Sequence, residues 1–397
     1  MKKPFPADPA AEGAIVAARG FRAVGLGCGI KATGRDLALL VAERAVPAAA
    51  VFTSSLAAAP PVQLSRRHLA QPYARAVLAT SGCANAGTGE AGLRAAEQSV
   101  AAVAEQLGCG VEEVLVCSTG LIGPRLPVEK IIAALPQAVA ALDAGREAGS
   151  AAAQAICTTD SRSKQALRRG RGFVIGGMAK GAGMICPDMA TMLAFITTDA
   201  AVAPAVLARS LHAAVAVSFN SLNVDGCQST NDTVMLLASG ASAVEPTEAE
   251  LTALLTEVCR DLAFQIAADA EGTTRVVRLR LRGATDDAEA RRIGKHVATS
   301  DLVRAALWGG DPNWGRILAA IGTAGVPLDL GAVAIDYAGV PTCRGGAAVN
   351  FDDPALAARV ATGDFAIDIT LGAGPGCAEV LTADLTPDYV RFNGERS

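Results

Sequence analysis

Aromatic side chains are scarce in this chain of 397 residues: Phe, Trp and Tyr make up 4% of it, against 51% hydrophobic residues in all. Its core must therefore be built from Ala, Val, Leu and Ile. Histidine is scarcer, with three residues (His68, His212, His296), none at ligand spacing to a cysteine or a second histidine, which argues against a zinc site. The ten cysteines form no CxxC pair, and several sit in apolar runs, as Cys259 does. That usage fits buried, reduced thiols in a cytoplasmic protein. An excess of positive charge is also missing: the net charge is −4 and the sequence pI about 5.6, which argues against a nucleic-acid scaffold. The densest basic run, Arg162 to Arg171, has no aromatic interleaving and reads as a solvated loop. Pro and Asp occupy the first residues where a signal peptide needs an apolar run, and the longest uncharged window, Val46–Ser65, holds three prolines. A soluble, cytoplasmic protein without membrane or nucleic-acid partners is expected.

What is present is length enough for two domains and 41 glycines, which imply many turns and close backbone approaches. Between Gly20 and Lys31, glycines 25, 27 and 29 alternate, so the GxGxxG spacing of a dinucleotide site is absent. Helical spacing predicts helices over Glu90–Leu107 with Gly108 as stop, over Pro127–Leu142, and over Ala205–Val215 after Pro204. Thr247-Glu-Ala-Glu250 is a capping box opening another. Val114–Cys117 reads as a strand running into the small-residue turn Ser118–Gly123, a place where backbone N–H groups can form an oxyanion hole. Phe173–Ala179 reads as the strand that delivers Lys180, and Ser221–Asp232 as a polar loop leading into a strand at Thr233–Leu237. Val276–Arg282 alternates apolar residues with arginine, as a half-exposed strand does. The composition shift at 283–287 marks a domain boundary, giving a larger unit over 1–284 and a smaller α/β unit over 285–397. In the latter, Ala288–Ala298 and Asp301–Leu307 read as helices, and Val333–Tyr337 and Phe365–Leu371 as strands.

One stretch organises the rest: Lys180-Gly-Ala-Gly-Met-Ile-Cys-Pro-Asp-Met-Ala-Thr191-Met-Leu-Ala-Phe-Ile-Thr-Thr-Asp199. Its glycines and Pro187-Asp188 make a constrained turn, and Met192 to Ile196 reads as a buried strand. A threonine between the two can act as a nucleophile activated by its own α-amine, once the Ala190–Thr191 bond is cut. A free α-amine has a reference pKa of about 8, near enough to neutrality to serve as a base.

This stretch resembles the self-cleavage signature of the ornithine acetyltransferase (glutamate N-acetyltransferase) family of arginine biosynthesis, and the resemblance runs from Gly20 to Ser397. It implies an α/β fold: a self-cleaving N-terminal-threonine sandwich of packed sheets flanked by helices, with a smaller α/β C-terminal domain. It further implies cleavage between Ala190 and Thr191, acetyl carried on Thr191, and an oxyanion held by Thr119 and Gly120. Substrate contacts carry over to Thr158, Lys180, Thr191, Glu271, Asn393 and Ser397. The implied reaction moves acetyl from N2-acetylornithine to glutamate without a cofactor; whether acetyl-CoA is a second donor stays open. So does assembly, for which the family suggests two copies of each fragment. The chain departs from the family pattern at Thr80 and Cys83, where asparagines are usual, at Cys227, where an acidic residue is usual, and more modestly at Ala270, Thr273 and Arg275. Its tail is one residue short between Asn393 and Ser397, with Tyr389–Phe392 expected to form an anchoring strand. A hydrolase or aminopeptidase of the same architecture, and a non-enzymatic binding protein, are the rival readings.

Overall fold

The computed structural model describes residues 9–185 and 192–395. The large unit is organised by one 16-residue strand, β2 (Leu37–Phe52), which is long enough to belong to two sheets. Its first half pairs with β1 (Phe21–Leu26) and β3 (Tyr73–Cys83), and β4 (Val114–Leu121) lies parallel to β3. Its second half pairs with β9 (Thr233–Ala238). Beyond β9 come β7 (Leu193–Thr198), β6 (Val174–Lys180) and β5 (Lys164–Arg169) in that order. A register shift between Val41 and Val46 marks where the strand passes from one sheet to the other.

The side-chain period of two sorts these strands into layers. Leu40, Val77 and Leu115 from the first sheet share one buried cluster with Met178, Phe195 and Met235 from the second. Their neighbours face outward. Leu39, Leu78 and Val116 pack with α1 (Pro60–His68), α2 (Gly89–Leu107) and α3 (Val128–Ala140). Ile175, Ile196 and Leu236 pack with α5 (Pro204–Ala216) and α6 (Glu248–Ala268). The result is helix, sheet, sheet, helix, which is the expected sandwich. The short helix α4 (Arg146–Ala155) adds Ala152, Ala153 and Ala155 to the inner cluster. Small side chains fill much of this interior, as the shortage of aromatics requires. Local signals act where expected: Gly108 ends α2 at φ 61°, and the Thr247 hydroxyl caps α6 by accepting from the Glu250 N–H.

The second sheet system has the order β13-β12-β11-β14-β10-β15-β8. It comprises β8 (Leu222–Asn223), β10 (Val276–Ala284), β11 (Ala334–Tyr337), β12 (Val340–Arg344), β13 (Ala347–Ala348), β14 (Phe365–Thr370) and β15 (Gly376–Ala383). Helices α7 (Asp287–Thr299), α8 (Asp301–Gly309), α9 (Trp314–Gly322) and α10 (Asp353–Val360) bury one of its faces. β10 lies inside this sheet, on the N-terminal side of the composition shift at 283–287, because Leu279 and Leu281 join its core while Arg278 and Arg280 pair outward with Glu379.

Two expectations change. The basic run at 162–171 is not a solvated loop: Lys164–Arg169 is the edge strand β5, and Lys164 is fully buried among carboxylates. Tyr389–Phe392 is not a strand but part of α11 (Pro387–Gly394), with Pro387 in its first turn and the Thr386 hydroxyl capping it from below. Among the described residues no helix is long and apolar enough to cross a membrane.

Candidate active site

Several chain segments end at one cleft of about 320 Å³, near the small end of the range for small-molecule sites. β4 brings Thr119 and Gly120, β6 brings Lys180, and the loop between α4 and β5 brings Thr158. Glu271 comes from the turn after α6, and Asn393 from α11. The structure thus gathers every described residue that the sequence nominates. Ala190, Thr191 and Ser397 lie outside the described residues.

At the cleft wall the Lys180 ammonium donates to Thr119 Oγ1 at 3.1 Å, with both residues buried. An ammonium only donates, so this contact uses an acceptor lone pair of Thr119 and leaves its hydroxyl proton for another acceptor. Burial lowers the Lys180 pKa, and the carboxylate of Asp160 is the main influence opposing that fall. The next residue can only be glycine. Gly120 has φ 127°, and a Cβ there would stand 2.4 Å from the Gly82 carbonyl carbon, where β3 and β4 shift register.

Glu271 is held on three sides. Its carboxylate accepts from the Thr159 hydroxyl at 2.7 Å and from Asn393 Nδ2 at 3.1 Å, while its N–H donates to the Ala182 carbonyl at 2.9 Å. A Cβ on Gly183 would come within 2.3 Å of this carboxylate, so the glycine permits the close approach. Thr158 donates its N–H to Asp160 Oδ2 at 2.9 Å, which fixes its backbone at the cleft edge.

The polar loop before β9 pins the chain on both sides of residues 186–191. Asp225 accepts from the N–H groups of Met184 and Ile185 at 2.6 and 2.8 Å. Asp232 Oδ1 accepts from the Met192 N–H at 2.7 Å. The second oxygen of Asp232 is buried with no hydrogen-bond partner among the described residues. Burial pushes the Asp232 pKa far up, against the Met192 N–H and Lys180.

The model of the ArgJ family matches residues 22–397, nearly the whole chain. The chain belongs to the ArgJ family. It is 45% identical to the arginine biosynthesis bifunctional protein ArgJ of Thermobifida fusca, over 96% of this chain and 99% of that protein. It is 44% identical to the protein of the same name from Mycobacterium tuberculosis H37Rv, over 96% of each. Among solved structures, ornithine acetyltransferase complexed with ornithine from Mycobacterium tuberculosis matches with a TM-score of 0.41 and 38% identity, covering 45% of this chain and 96% of that one. The arginine biosynthesis bifunctional protein of Bacillus halodurans matches with a TM-score of 0.42 and 35% identity, covering 44% and 93%.

Three of the departures from the family pattern, Thr80, Cys83 and Cys227, have partners. Thr80 is buried and donates to the Ser118 hydroxyl at 3.0 Å, one residue before Thr119. Cys83 lies 3.5 Å from the Pro124 carbonyl. Cys227 is exposed and gives its N–H to Asp225 at 3.1 Å, so its backbone still supports the loop. Sequence reasoning missed Lys31 and Asn231. Lys31 lines the cleft and donates to the Cys157 carbonyl at 3.1 Å. Asn231 is buried and donates to the carbonyls of Ala84 and Ser118 at 2.7 and 2.9 Å, tying the ends of β3 and β4 together. Neither stands in a motif; only the paired asparagine and aspartate at 231–232, polar residues leading into an apolar strand, carried a local hint.

Proposed function

We propose that this protein transfers acetyl from N2-acetylornithine to the amine of glutamate through an ester on Thr191. The observation that carries this reading is the contact of Lys180 with Thr119 at a cleft whose rim also carries Glu271. One wall then offers a hydroxyl proton and a cation, and the other an anion. That suits a zwitterionic amino acid whose acyl group must be polarised. Cleavage of Ala190–Thr191 comes first and frees the α-amine. Thr191 Oγ then attacks the acetamide carbon while the α-amine takes the hydroxyl proton. The Thr119 hydroxyl and the Gly120 N–H hold the oxyanion. Collapse breaks the C–N bond, and the leaving ornithine nitrogen receives that proton. The amine of glutamate attacks the ester by the reverse steps and restores Thr191. Thr158, Lys180 and Asn393 position the amino-acid portion, Ser397 joins them from the tail, and Glu271 faces the free ornithine amine.

On this reading the protein works in the cytoplasm without a cofactor, as two copies of each cleavage fragment. The catalytic unit spans 1–284 and the smaller one 285–397. The name of the curated relatives, a bifunctional protein, favours acetyl-CoA as a second donor. Incubation with N2-acetylornithine and glutamate tests the reading, with N-acetylglutamate and ornithine as the expected products. Release of free acetate without transfer would identify a hydrolase, and no turnover a binding protein. N-acetylglutamate formed from acetyl-CoA and glutamate would establish the second activity.

A further inference from the structure

A fully buried lysine stands behind the cleft, outside every contact assigned above. Lys164 Nζ lies 2.6 Å from Asp160 Oδ1 and 2.7 Å from Asp269 Oδ2, with the three side chains 0%, 0% and 2% exposed. Each carboxylate has further work. Asp160 accepts from the N–H of Thr158 at 2.9 Å and from that of Gly181, the residue after Lys180, at 2.7 Å. Asp269 accepts the N–H of Ser161 at 2.9 Å and also its hydroxyl. Asp269 closes the C-terminus of α6, two residues before Glu271. One ammonium therefore joins the edge strand β5, the 158–161 loop, the exit of β6 and the end of α6.

We propose that Lys164, Asp160 and Asp269 are positioning residues for the transfer reaction, a buried ion cluster that holds Thr158, Lys180 and Glu271 in register around the substrate. The inference rests on the proposed roles of those three contacts. Stability alone is a weak reason for such a cluster. Desolvating three charges costs about as much as their attraction returns, and apolar residues of similar volume commonly serve as well. What apolar packing cannot supply is directed hydrogen bonds to two backbone N–H groups on different segments.

Electrostatics gives the cluster a second effect. Burial raises the Asp160 pKa, but Lys164 and then Lys180 outweigh it and hold the acid well below the usual carboxylate range. Asp160 and Asp269 likewise overcome the burial of Lys164 and keep it protonated. The groups facing Lys180 are Asp160 and Cys157 from the loop before β5, Lys164 from β5, and Asp232 at the start of β9. Asp160 is the strongest of them in keeping Lys180 charged. Its neutralisation lets the pKa of Lys180 fall further, so the cation is lost at lower pH.

The test is KM and kcat for N2-acetylornithine against pH, in the wild type and in Asp160→Asn, Asp269→Asn and the charge-balanced double variant Asp160→Asn/Lys164→Met. Asp160→Asn is expected to raise KM about tenfold and to move the alkaline rise in KM down by about one pH unit or more. Asp269→Asn should raise KM without moving that rise. The double variant, which keeps the net charge of the cluster and leaves Asp269 its hydrogen bonds from Ser161, should fold and reproduce both effects of Asp160→Asn, and it supplies the answer if the single variant does not fold. Wild-type KM and pH dependence in a folded variant, with only the melting temperature lowered, would overturn the proposal. Failure of the double variant to fold would count against it too, by assigning the cluster to stability. Lys180→Met separates the two levels: an unchanged KM in that variant would refute the functional reading of Lys180 and leave the geometry of the cluster standing.

Discussion

Thr119 sits where two demands meet. In the proposed mechanism its hydroxyl donates to the developing oxyanion, and the Lys180 ammonium, 3.1 Å away, supplies the donor that Thr119 itself accepts from. Thr119→Ala should therefore lower kcat by roughly 10²–10³-fold with little change in KM, whereas Thr119→Ser should recover most of the rate. Steady-state kinetics on the two variants check this. Gly120→Ala would place a Cβ 2.4 Å from the backbone of Gly82 at a φ of 127°. Loss of activity and a lower melting temperature are expected together, because β4 cannot keep its course past β3. Lys31 carries a cation at the cleft that the ornithine half-reaction does not call for. Glutamate brings one carboxylate more than ornithine does. Lys31→Met should raise KM for glutamate about tenfold while acetylation of the enzyme by N2-acetylornithine alone, read by mass spectrometry, stays near the wild-type rate.

At the scale of elements, α11 shows how a tail becomes part of a site. Thr386 starts the helix, its hydroxyl accepting from the Tyr389 N–H at 3.0 Å and donating to the Gly272 carbonyl at 2.8 Å. The helix then delivers Asn393 to Glu271. Deleting 393–397 should raise KM or lower kcat/KM with both amino acids and leave self-cleavage intact, and Asn393→Ala should do more than Ser397→Ala. A truncated enzyme that matches the wild type would remove the tail from the site. Both local signals of this helix, the hydroxyl at 386 and the proline at 387, were legible in the chain. The family's anchored tail suggested a strand instead. β5 is the opposite case. Nothing near Lys164 in sequence shows that it is buried, since Asp269, one of its two carboxylate partners, lies 105 residues away.

For the molecule as a whole, the proposed cut falls between neighbouring strands of one sheet. β6 precedes residue 190 and β7 follows it, yet the two pair antiparallel over six residues, and β7 also lies parallel to β9. The first fragment would also contribute β2, which pairs with β9 of the second. The fragments should therefore copurify through gel filtration and separate only in denaturant. Denaturing gels with N-terminal sequencing should show two bands, one beginning Thr-Met-Leu, and Thr191→Ala should give a single band. An intact, active wild type would exclude the mechanism.

The amino-acid order determined what short-range physics can carry. Residue patterning set out about half of the described strands and helices, Gly108 and Thr247 set helix ends, and the run from Lys180 to Asp199 was specific enough to mark family and chemistry. Residue types at Thr119, Gly120, Lys180 and Glu271 were legible for the same reason, since each stands in a contiguous motif. Tertiary structure alone decided which charges are buried and what they face. Lys164 looked like one more residue of a solvated basic run, and Asp225 and Asp232 like ordinary loop polarity. Their roles arise from partners brought in by sheet pairing and helix packing across as many as 105 residues. A charge is costly or useful according to its desolvation and its nearest counter-charge, and both are properties of the folded surroundings.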